Sequence, residues 1–151
     1  MIIPDINLLL HAHNSAYRRH RAAREWWETL LNGTGSVGLP WVSILGFIRV
    51  ATHPKILENP LDLGGACTRI RSWLARPQTI LIHPGVRHAD ILFDLLAAVG
   101  RGGNLTTDAH LAALAIEHQA ELHSTDADMA RFPGLRWVNP LMGNIPRSKR
   151  R

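Results

Sequence analysis

Three aspartates stand where a folded α/β chain would bring acidic side chains together. Asp5 closes the short apolar segment 2–5, and Asp126 directly follows the segment AELHST at 120–125. Asp108 lies in the first turn of an amphipathic segment, and at about 100° per residue it falls beside the apolar stripe that would face a sheet. Ligands of open parallel sheets bind beyond the carboxyl ends of the strands. We therefore expect the three carboxylates to lie near one another at that edge.

Carboxylates held close together favour a bound cation. Without one, their mutual repulsion raises the pKa of at least one of them. Mg²⁺ or Mn²⁺ prefers oxygen ligands and keeps several waters, so a few aspartates and a substrate phosphate can complete its coordination. Such an ion activates water and stabilises the charge that develops on a phosphodiester under attack. The alternative for each aspartate is a helix cap or a surface charge, and Asp108 could simply favour a helix N-terminus.

The other residues with chemical potential carry weaker patterns. Glu117 lies about 180° from Asp108 on the same helical segment, so we expect it to face solvent. His11 and His13 form an H-x-H pair whose members point about 200° apart on a helix, which argues against a shared zinc ion. Cys67 is the only cysteine, which excludes an intrachain disulfide and a cysteine cluster. No Ser-His-Asp, Cys-His or glycine-rich phosphate-loop pattern stands out.

The segments that must position the aspartates alternate between strand-like and helix-like patterns. Strands are expected at 2–5, 36–40, 79–83, 120–125 and 135–140. Helices are expected at 6–14, 17–31, 41–52, 63–75, 91–99 and 105–118, with a short helical turn at 126–132. This alternation predicts an α/β fold with a mostly parallel central sheet of four to five short strands flanked by helices. No repeat or linker divides the chain, so we expect a single domain.

The composition is that of a globular protein. Of 151 residues, 46% are hydrophobic and 19% are charged, and no apolar run is long enough to cross a bilayer. The first residues lack the basic segment of a signal peptide, so we expect the protein in the cytoplasm. The net charge is +5, but the basic C-terminal segment 143–151 holds four cationic residues and leaves +1 for the rest. That segment either attracts an anionic partner such as a nucleic acid or acts as a solubilising tail.

Three segments, in order, give the chain a family resemblance. They are IIPDINLLLHA at 2–12, LPWVSILGFIRVATHP at 39–54 and NLTTDAHLAALAIEHQAELHSTDADMARFPGLRWVNPL at 104–141. Together they resemble the PIN-domain toxins called VapC, especially the branch abundant in mycobacteria, over nearly the whole chain. The resemblance implies a PIN-like three-layer sandwich at 1–142 followed by a basic tail at 143–151. It also implies a metal-dependent endoribonuclease that forms a homodimer and is inhibited by a VapB-type antitoxin.

The resemblance also implies roles for the acids. By position, Asp5 matches the first acid of the family, Asp108 the third and Asp126 the fourth, so these three are the expected catalytic residues and ligands of Mg²⁺ or Mn²⁺. The second acid is absent, because many PIN domains carry a Glu where this chain has Gly46. Its loss weakens a two-metal mechanism, while one Mg²⁺ with two or three carboxylates remains reasonable. Asp128 is either a substitute ligand or, as the pattern favours, a solvent-facing turn residue.

Polar neighbours are expected to support the acids. Asn7 matches the small polar residue two places after the first acid and would orient it. Ser124 and Thr125 match the polar pair before the fourth acid, where their hydroxyls would bind a carboxylate or a water on the metal. Arg49, one turn after Gly46, would bind a phosphate or form a structural ion pair.

These patterns lead to one main function and two rivals. The main hypothesis is hydrolysis of RNA phosphodiesters, with a tRNA or a ribosomal RNA as the substrate. A protein that lost catalysis with the missing Glu would instead be an RNA-binding or regulatory partner. A nuclease for RNA maturation would lack a neighbouring antitoxin gene. Separately, Trp26 and Trp27 cannot both face one way on their helix, and we hypothesise that the pair contributes to a protein interface.

Overall fold

A five-stranded parallel sheet forms the centre of the molecule. The computed structural model describes residues 1–142, so the basic tail expected at 143–151 lies outside the described residues. The strands are β1 (Ile2–Pro4), β2 (Val37–Pro40), β3 (Thr79–Ile82), β4 (Glu121–His123) and β5 (Trp137–Val138). Their order in the sheet is β3-β2-β1-β4-β5, and each neighbouring pair is parallel. The expected α/β class with a mostly parallel sheet is confirmed.

Helices connect the strands and cover the sheet. They are α1 (Ile6–His13), α2 (His20–Asn32), α3 (Trp41–Ala51), α4 (Leu63–Leu74), α5 (His88–Val99) and α6 (Leu105–Glu117). A short 3-10 helix follows β4 at Ala127–Arg131. The chain order of β1, β2 and β3 runs one way across the sheet, whereas β4 and β5 lie on the other side of β1. The strand order therefore reverses between β1 and β4, and the carboxyl ends of these two strands flank the crevice at which ligands of such sheets bind.

Two hydrophobic clusters produce the layered structure. One is built mainly from α5, α6 and the strand residues that face them, such as Ile3 and Leu122. The other joins the first four helices to the opposite side of the sheet, with Val37 and Leu39 from β2 and Phe47 from α3. Because both faces are covered, the central strands β1, β2 and β4 are mostly buried and need not alternate between polar and apolar residues. The fold is therefore the three-layer sandwich expected from the sequence.

Two local expectations were wrong. Helix α2 begins at His20 instead of position 17, because Asn14 accepts a hydrogen bond from the Ala16 backbone and forms a turn there. Glu117 does not face solvent: it accepts hydrogen bonds from the backbone N–H groups of Gly85 and Arg87 at 2.9 and 3.1 Å. The loop before α5 supplies these donors, and a helical wheel contains no information about that loop.

Cys67 lies half-buried on α4 as a free thiol. Within residues 1–142, no helix combines the length and the apolar character that a bilayer-spanning helix requires.

Candidate active site

Asp5 is the most buried of the three predicted acids. It follows β1 and caps the N-terminus of α1, where its Oδ1 accepts a 2.7 Å hydrogen bond from the Ile6 N–H. Only 6% of Asp5 is exposed. Burial raises the pKa of this carboxyl, although the hydrogen bonds from Ser124 and Ile6 oppose the rise. A cation beside Asp5 would offset the unfavourable burial of its charge.

Ser124 joins the ends of the two central strands. Its hydroxyl donates a 2.6 Å hydrogen bond to Asp5 Oδ2 and accepts one of 3.0 Å from the Asp126 N–H. Ser124 is fully buried, and the backbone of Asp5 is in turn bonded to the His123 carbonyl. The first acid and the segment that carries the last acid are therefore held together by one side chain.

Asn7 completes this network from α1. Its Nδ2 donates to Asp5 Oδ2 at 3.2 Å and to Ser124 Oγ at 3.4 Å, and its Oδ1 accepts from the Thr125 N–H at 3.5 Å. Asn7 thus contacts Asp5 as the sequence predicts. Thr125 takes part through its backbone, whereas its hydroxyl was the group expected to act.

Asp126 and Asp128 lie on the turn that follows β4. Asp126 caps the 3-10 helix, and its Oδ1 accepts a 2.9 Å hydrogen bond from the Asp128 N–H. Asp128 is exposed and pairs with Arg131 at 3.3 Å, with about half of each side chain open to solvent. The arrangement matches the solvent-facing turn residue that the sequence favoured for Asp128. Its charge nevertheless contributes to the electrostatics of the site.

Asp108 is the predicted acid on which the charges of the other carboxylates act together. It lies half-buried in the first turn of α6. Burial and then the neighbouring charges of Asp5, Asp126 and Asp128 raise the pKa of this carboxyl from 3.8 to about 6. Within residues 1–142, no hydrogen bond offsets this effect, in contrast to Asp5. The structure therefore brings Asp108 into the electrostatic field of the other predicted acids, although Asp108 and Asp5 are more than 100 residues apart in the sequence.

The donor set fits a hard divalent cation that keeps part of its water shell. All the converging groups are carboxylate oxygens, and their repulsion is the kind that a cation relieves. Across residues 1–142, no group of three or more His, Cys, Asp or Glu side chains is positioned to hold a metal ion. Mg²⁺ is often bound by only one or two carboxylates and keeps several waters, so the fit rests on fewer direct ligands.

Gly46, which the family resemblance matches to the second acid, is covered by Ile6. A Cβ added at Gly46 would lie 2.8 Å from Ile6 Cγ1 and closer still to Ile6 Cδ1. Both residues follow the carboxyl ends of strands, Ile6 after β1 and Gly46 within α3 after β2. An apolar side chain thus occupies the space that an acidic side chain at position 46 would enter.

The remaining predicted residues lie away from this centre. His11 packs on Tyr17 and His13 on Phe47, so the pair diverges as its spacing indicates. Trp27 is 4% exposed and belongs to the core of its own chain. Trp26 is half-buried, and its Nε1 donates a 3.0 Å hydrogen bond to His123 Nδ1. Sequence reasoning missed this bond because its partners are 97 positions apart and neither belongs to a recognisable motif.

Comparison with known sequences places the chain in a family. The sequence profile of the PIN domain matches residues 2–135. The chain is 45% identical over 141 residues to Ribonuclease VapC33 of Mycobacterium tuberculosis, which covers 93% of this chain and 99% of that protein. It is 46% identical over 140 residues to Ribonuclease VapC37 of the same organism, covering 93% and 97%.

Solved structures show the same fold at low sequence identity. VapBC2 from Rickettsia felis, bound to a DNA fragment from its promoter, matches with a TM-score of 0.67 and 15% identity over 91% of this chain and 98% of that chain. VapC20 of Mycobacterium tuberculosis, a sarcin-ricin loop cleaving toxin, matches with a TM-score of 0.65 and 14% identity over 90% and 99%. The profile, the identity over nearly the full length and the shared fold agree, and the chain belongs to the PIN domain family, in the group of VapC ribonucleases.

Proposed function

We propose that this protein is a divalent-metal-dependent endoribonuclease that acts as the toxin of a type II toxin–antitoxin pair. The observation that carries the proposal is the convergence of Asp5, Asp126 and Asp108 at the point where the strand order reverses, with the pKa of Asp108 raised to about 6. Its relatives of 45% and 46% identity carry the name ribonuclease. The fold unit that performs this function is a single domain at 1–142.

In this proposal the carboxylates hold Mg²⁺ or Mn²⁺. Asp5 and Asp108 are the principal ligands, and Asp126 completes the site directly or through water. The ion supplies an activated water and neutralises charge on the scissile phosphate. Asp108 is the more exposed of the two principal ligands, and we place it on the side where the RNA backbone enters.

Hydrogen bonds from the surrounding side chains orient Asp5 for binding the metal ion. Ser124 and Asn7 both donate to Asp5 Oδ2, which fixes the orientation of the carboxylate and favours its charged form. The buried position of Asp5 excludes bulk water and strengthens its interaction with a cation. We further propose that a single metal ion suffices, because the Ile6 side chain fills the space beside Gly46.

An antitoxin of the VapB type is the proposed partner. Related folds were solved as toxin–antitoxin complexes, including one from Klebsiella pneumoniae. A groove of about 370 Å³ between α2 and α4 offers a docking surface. Two buried polar atoms on this groove, Trp27 Nε1 and His13 Nδ1, lack a hydrogen-bond partner within residues 1–142. Arg69, Arg76 and the Arg24–Glu28 ion pair also line the groove, so we expect an acidic or carbonyl-rich segment of the antitoxin beside Arg69 and Arg76.

We also propose a homodimer in the cytoplasm. Large apolar side chains are exposed on β3, on the loop after it and on α5: Ile80 is 45% exposed, Phe93 63% and Val86 fully exposed. A contiguous exposed apolar patch is typical of a protein interface, and we propose that these three side chains form one. The Trp26–Trp27 pair is less suited to this role, since Trp27 packs inside its own chain.

Cleavage of a panel of tRNAs and ribosomal RNA fragments tests the function. Purified protein should cut at least one RNA with Mn²⁺ or Mg²⁺ and none with a chelator, and Asp5→Asn and Asp108→Asn should lose this activity while remaining folded. Asn is a good substitute for Asp as an N-cap, so Asp5→Asn preserves the start of α1. Binding without cleavage would instead favour the RNA-binding or regulatory reading.

Two further observations identify the substrate and the biological role. Sequencing of the 5′ ends produced after brief induction in cells would show which tRNA or ribosomal RNA is cut. A small antitoxin gene beside the coding sequence would support the toxin assignment. Its absence, combined with a specific cleavage product, would favour a nuclease for RNA maturation.

A further inference from the structure

A groove lies next to the chain segments that carry two of the predicted acids, Asp5 and Asp108. Its volume is about 380 Å³, which falls within the usual range for small-ligand sites. Two of its residues adjoin predicted metal ligands in the chain, since Ile6 follows Asp5 and Thr107 precedes Asp108. The groove is lined by Ile6, Val42, Leu45, Gly46, Arg49 and Thr107.

The groove is apolar on the side where Gly46 stands in place of an acidic residue. Gly46 has no side chain, and Ile6 packs over it, so the wall beside the carboxylates is apolar. A Glu at position 46 would have added negative charge on this side. The groove therefore differs sharply in polarity from the acidic site that it adjoins.

Among the described residues that line the groove, Arg49 is the only one with a charged side chain. Arg21, Arg24 and Arg131 each pair with a carboxylate within 4 Å, at distances of 2.8 to 3.3 Å. Arg49 has no such pair among residues 1–142, and it lies exposed on α3. A structural ion pair thus does not account for Arg49 in the described chain, and its guanidinium is available for an anion beside the carboxylates.

Two exposed apolar residues continue the same face of α3. Leu45 is 58% exposed and Trp41 is 48% exposed, and the spacing of Trp41, Leu45 and Arg49 is four residues at each step. Residues four apart share a helix face. Trp41 begins α3 directly after β2, at the carboxyl edge of the sheet. This face therefore combines a flat aromatic ring, an aliphatic wall and a cation within about 12 Å of helix rise.

We infer that this groove and the Trp41–Leu45–Arg49 face bind an unpaired RNA nucleotide next to the scissile phosphodiester. The inference rests on the proposed ribonuclease function. Arg49 contacts the phosphate of that nucleotide, and its base stacks against Trp41 and Leu45. Bases reach such a surface only when they are unpaired, so the subsite selects single-stranded loops over helical RNA.

Binding of a fluorescein-labelled 12-nucleotide single-stranded RNA, followed by anisotropy over a range of salt concentrations, tests this subsite. The Asp108→Asn background prevents cleavage during the measurement. Adding Arg49→Ala should weaken binding about tenfold and lower the slope of log K against log salt by about one, as expected for one lost phosphate contact. Arg49→Lys should restore part of the affinity. Arg71→Ala is the matched control, because Arg71 is also an exposed helical arginine but lines neither groove.

A second variant separates stacking from charge. Trp41→Ala should weaken binding by a similar factor without changing the salt slope, because base stacking releases no counterions. Size-exclusion chromatography checks that both variants keep the oligomeric state of the parent. A duplex of the same sequence should bind the parent protein more weakly than the single strand does. The affinity for the duplex should be the same in the parent, Arg49→Ala and Trp41→Ala.

The outcomes distinguish the subsite from the function. If the protein cuts RNA with Mn²⁺ but Arg49→Ala binds and cuts like Arg71→Ala, the subsite is wrong and the nuclease assignment stands. If the protein binds the RNA through Arg49 and Trp41 without cutting any RNA, the subsite stands and catalysis is wrong. A protein that neither binds nor cuts RNA contradicts both.

Discussion

The side chain of Ile6 lies over the α-carbon of Gly46, with Cγ1 2.8 Å from the position of a Cβ at residue 46. The two residues come from different helices, α1 and α3, and meet beside the carboxylates. A side chain at position 46 therefore requires a change at position 6. Ile6 thus fills the space next to the position that the family resemblance matches to the second acid.

Gly46→Glu should destabilise the protein and should not restore a second acidic ligand. Overpacking against Ile6 costs about 1–3 kcal/mol. Gly46→Glu should cost at least about 1 kcal/mol less stability in the Ile6→Ala background than in the parent, because the shortened side chain makes room for the new one. Urea unfolding of the four proteins of this cycle measures the coupling. Gly35→Glu is the control, since nothing lies within 4 Å of a Cβ there, and additive effects in the cycle would contradict the packing relationship.

Ser124→Ala should weaken metal binding as well as destabilise the fold. The substitution removes the hydrogen bond that Ser124 donates to Asp5 and leaves the Asp126 N–H without its acceptor, at a cost of about 1–3 kcal/mol in stability. Loss of groups that orient metal ligands typically lowers metal affinity about 10- to 100-fold. Titration calorimetry with Mn²⁺ measures the affinity. Thr125→Ala should behave like the parent, because Thr125 takes part in the network through its backbone N–H. Equal Mn²⁺ affinity in the two variants would show that Ser124 does not orient a ligand.

The thermal shift produced by Mn²⁺ should grow between about pH 5 and about pH 7.5. The pKa of Asp108 is raised, by burial first and then by the neighbouring carboxylates, to about 6 in the folded chain against 3.8 as the ordinary value. A raised carboxyl pKa means that the folded state binds the proton more tightly, so this group's contribution to stability is lost as pH rises from 3.8 through 6. Above that range the charged carboxylates repel one another, and a divalent cation relieves the repulsion.

Asp108→Asn isolates the contribution of this carboxyl from that of every other titratable group. Without metal and above neutral pH, the variant should be more stable than the parent by about 1 kcal/mol, a value reduced for the half-exposed position of the side chain. Its Tm should gain little from Mn²⁺. If the parent and Asp108→Asn showed the same Mn²⁺ shift at each pH, Asp108 would not be a ligand.

The elements that carry the candidate site could be predicted from regular patterns in the sequence. Alternating strands and helices placed Asp5 and Asp126 at strand ends, and helical angles placed Asp108 beside the sheet. The same angles failed for Glu117, because the backbone donors that bind it belong to a loop 30 residues away. The hydroxyl of Ser124 reaches Asp5 across 119 positions, and no periodicity in the sequence encodes such a contact. Long-range polar partners and the packing of Ile6 on Gly46 depend on the sheet order, which only the structure supplies.

Trp26→Phe should destabilise the monomer fold while leaving assembly unchanged. The indole of Trp26 donates to His123 Nδ1, so the ring proton of His123 lies on Nε2 and is donated to Glu121 Oε1. Phe keeps most of the packing but leaves the buried Nδ1 unsatisfied, which costs about 1–3 kcal/mol. Because the backbone of His123 bonds to Asp5, the loss should also lower cleavage activity by a factor of a few. Urea unfolding and light scattering of Trp26→Phe test both parts, with Trp27→Phe as the control, because the Nε1 of Trp27 has no hydrogen-bond partner to lose within residues 1–142. A change in oligomeric state with no loss of stability would instead place Trp26 at a subunit interface, as the sequence alone had led us to hypothesise.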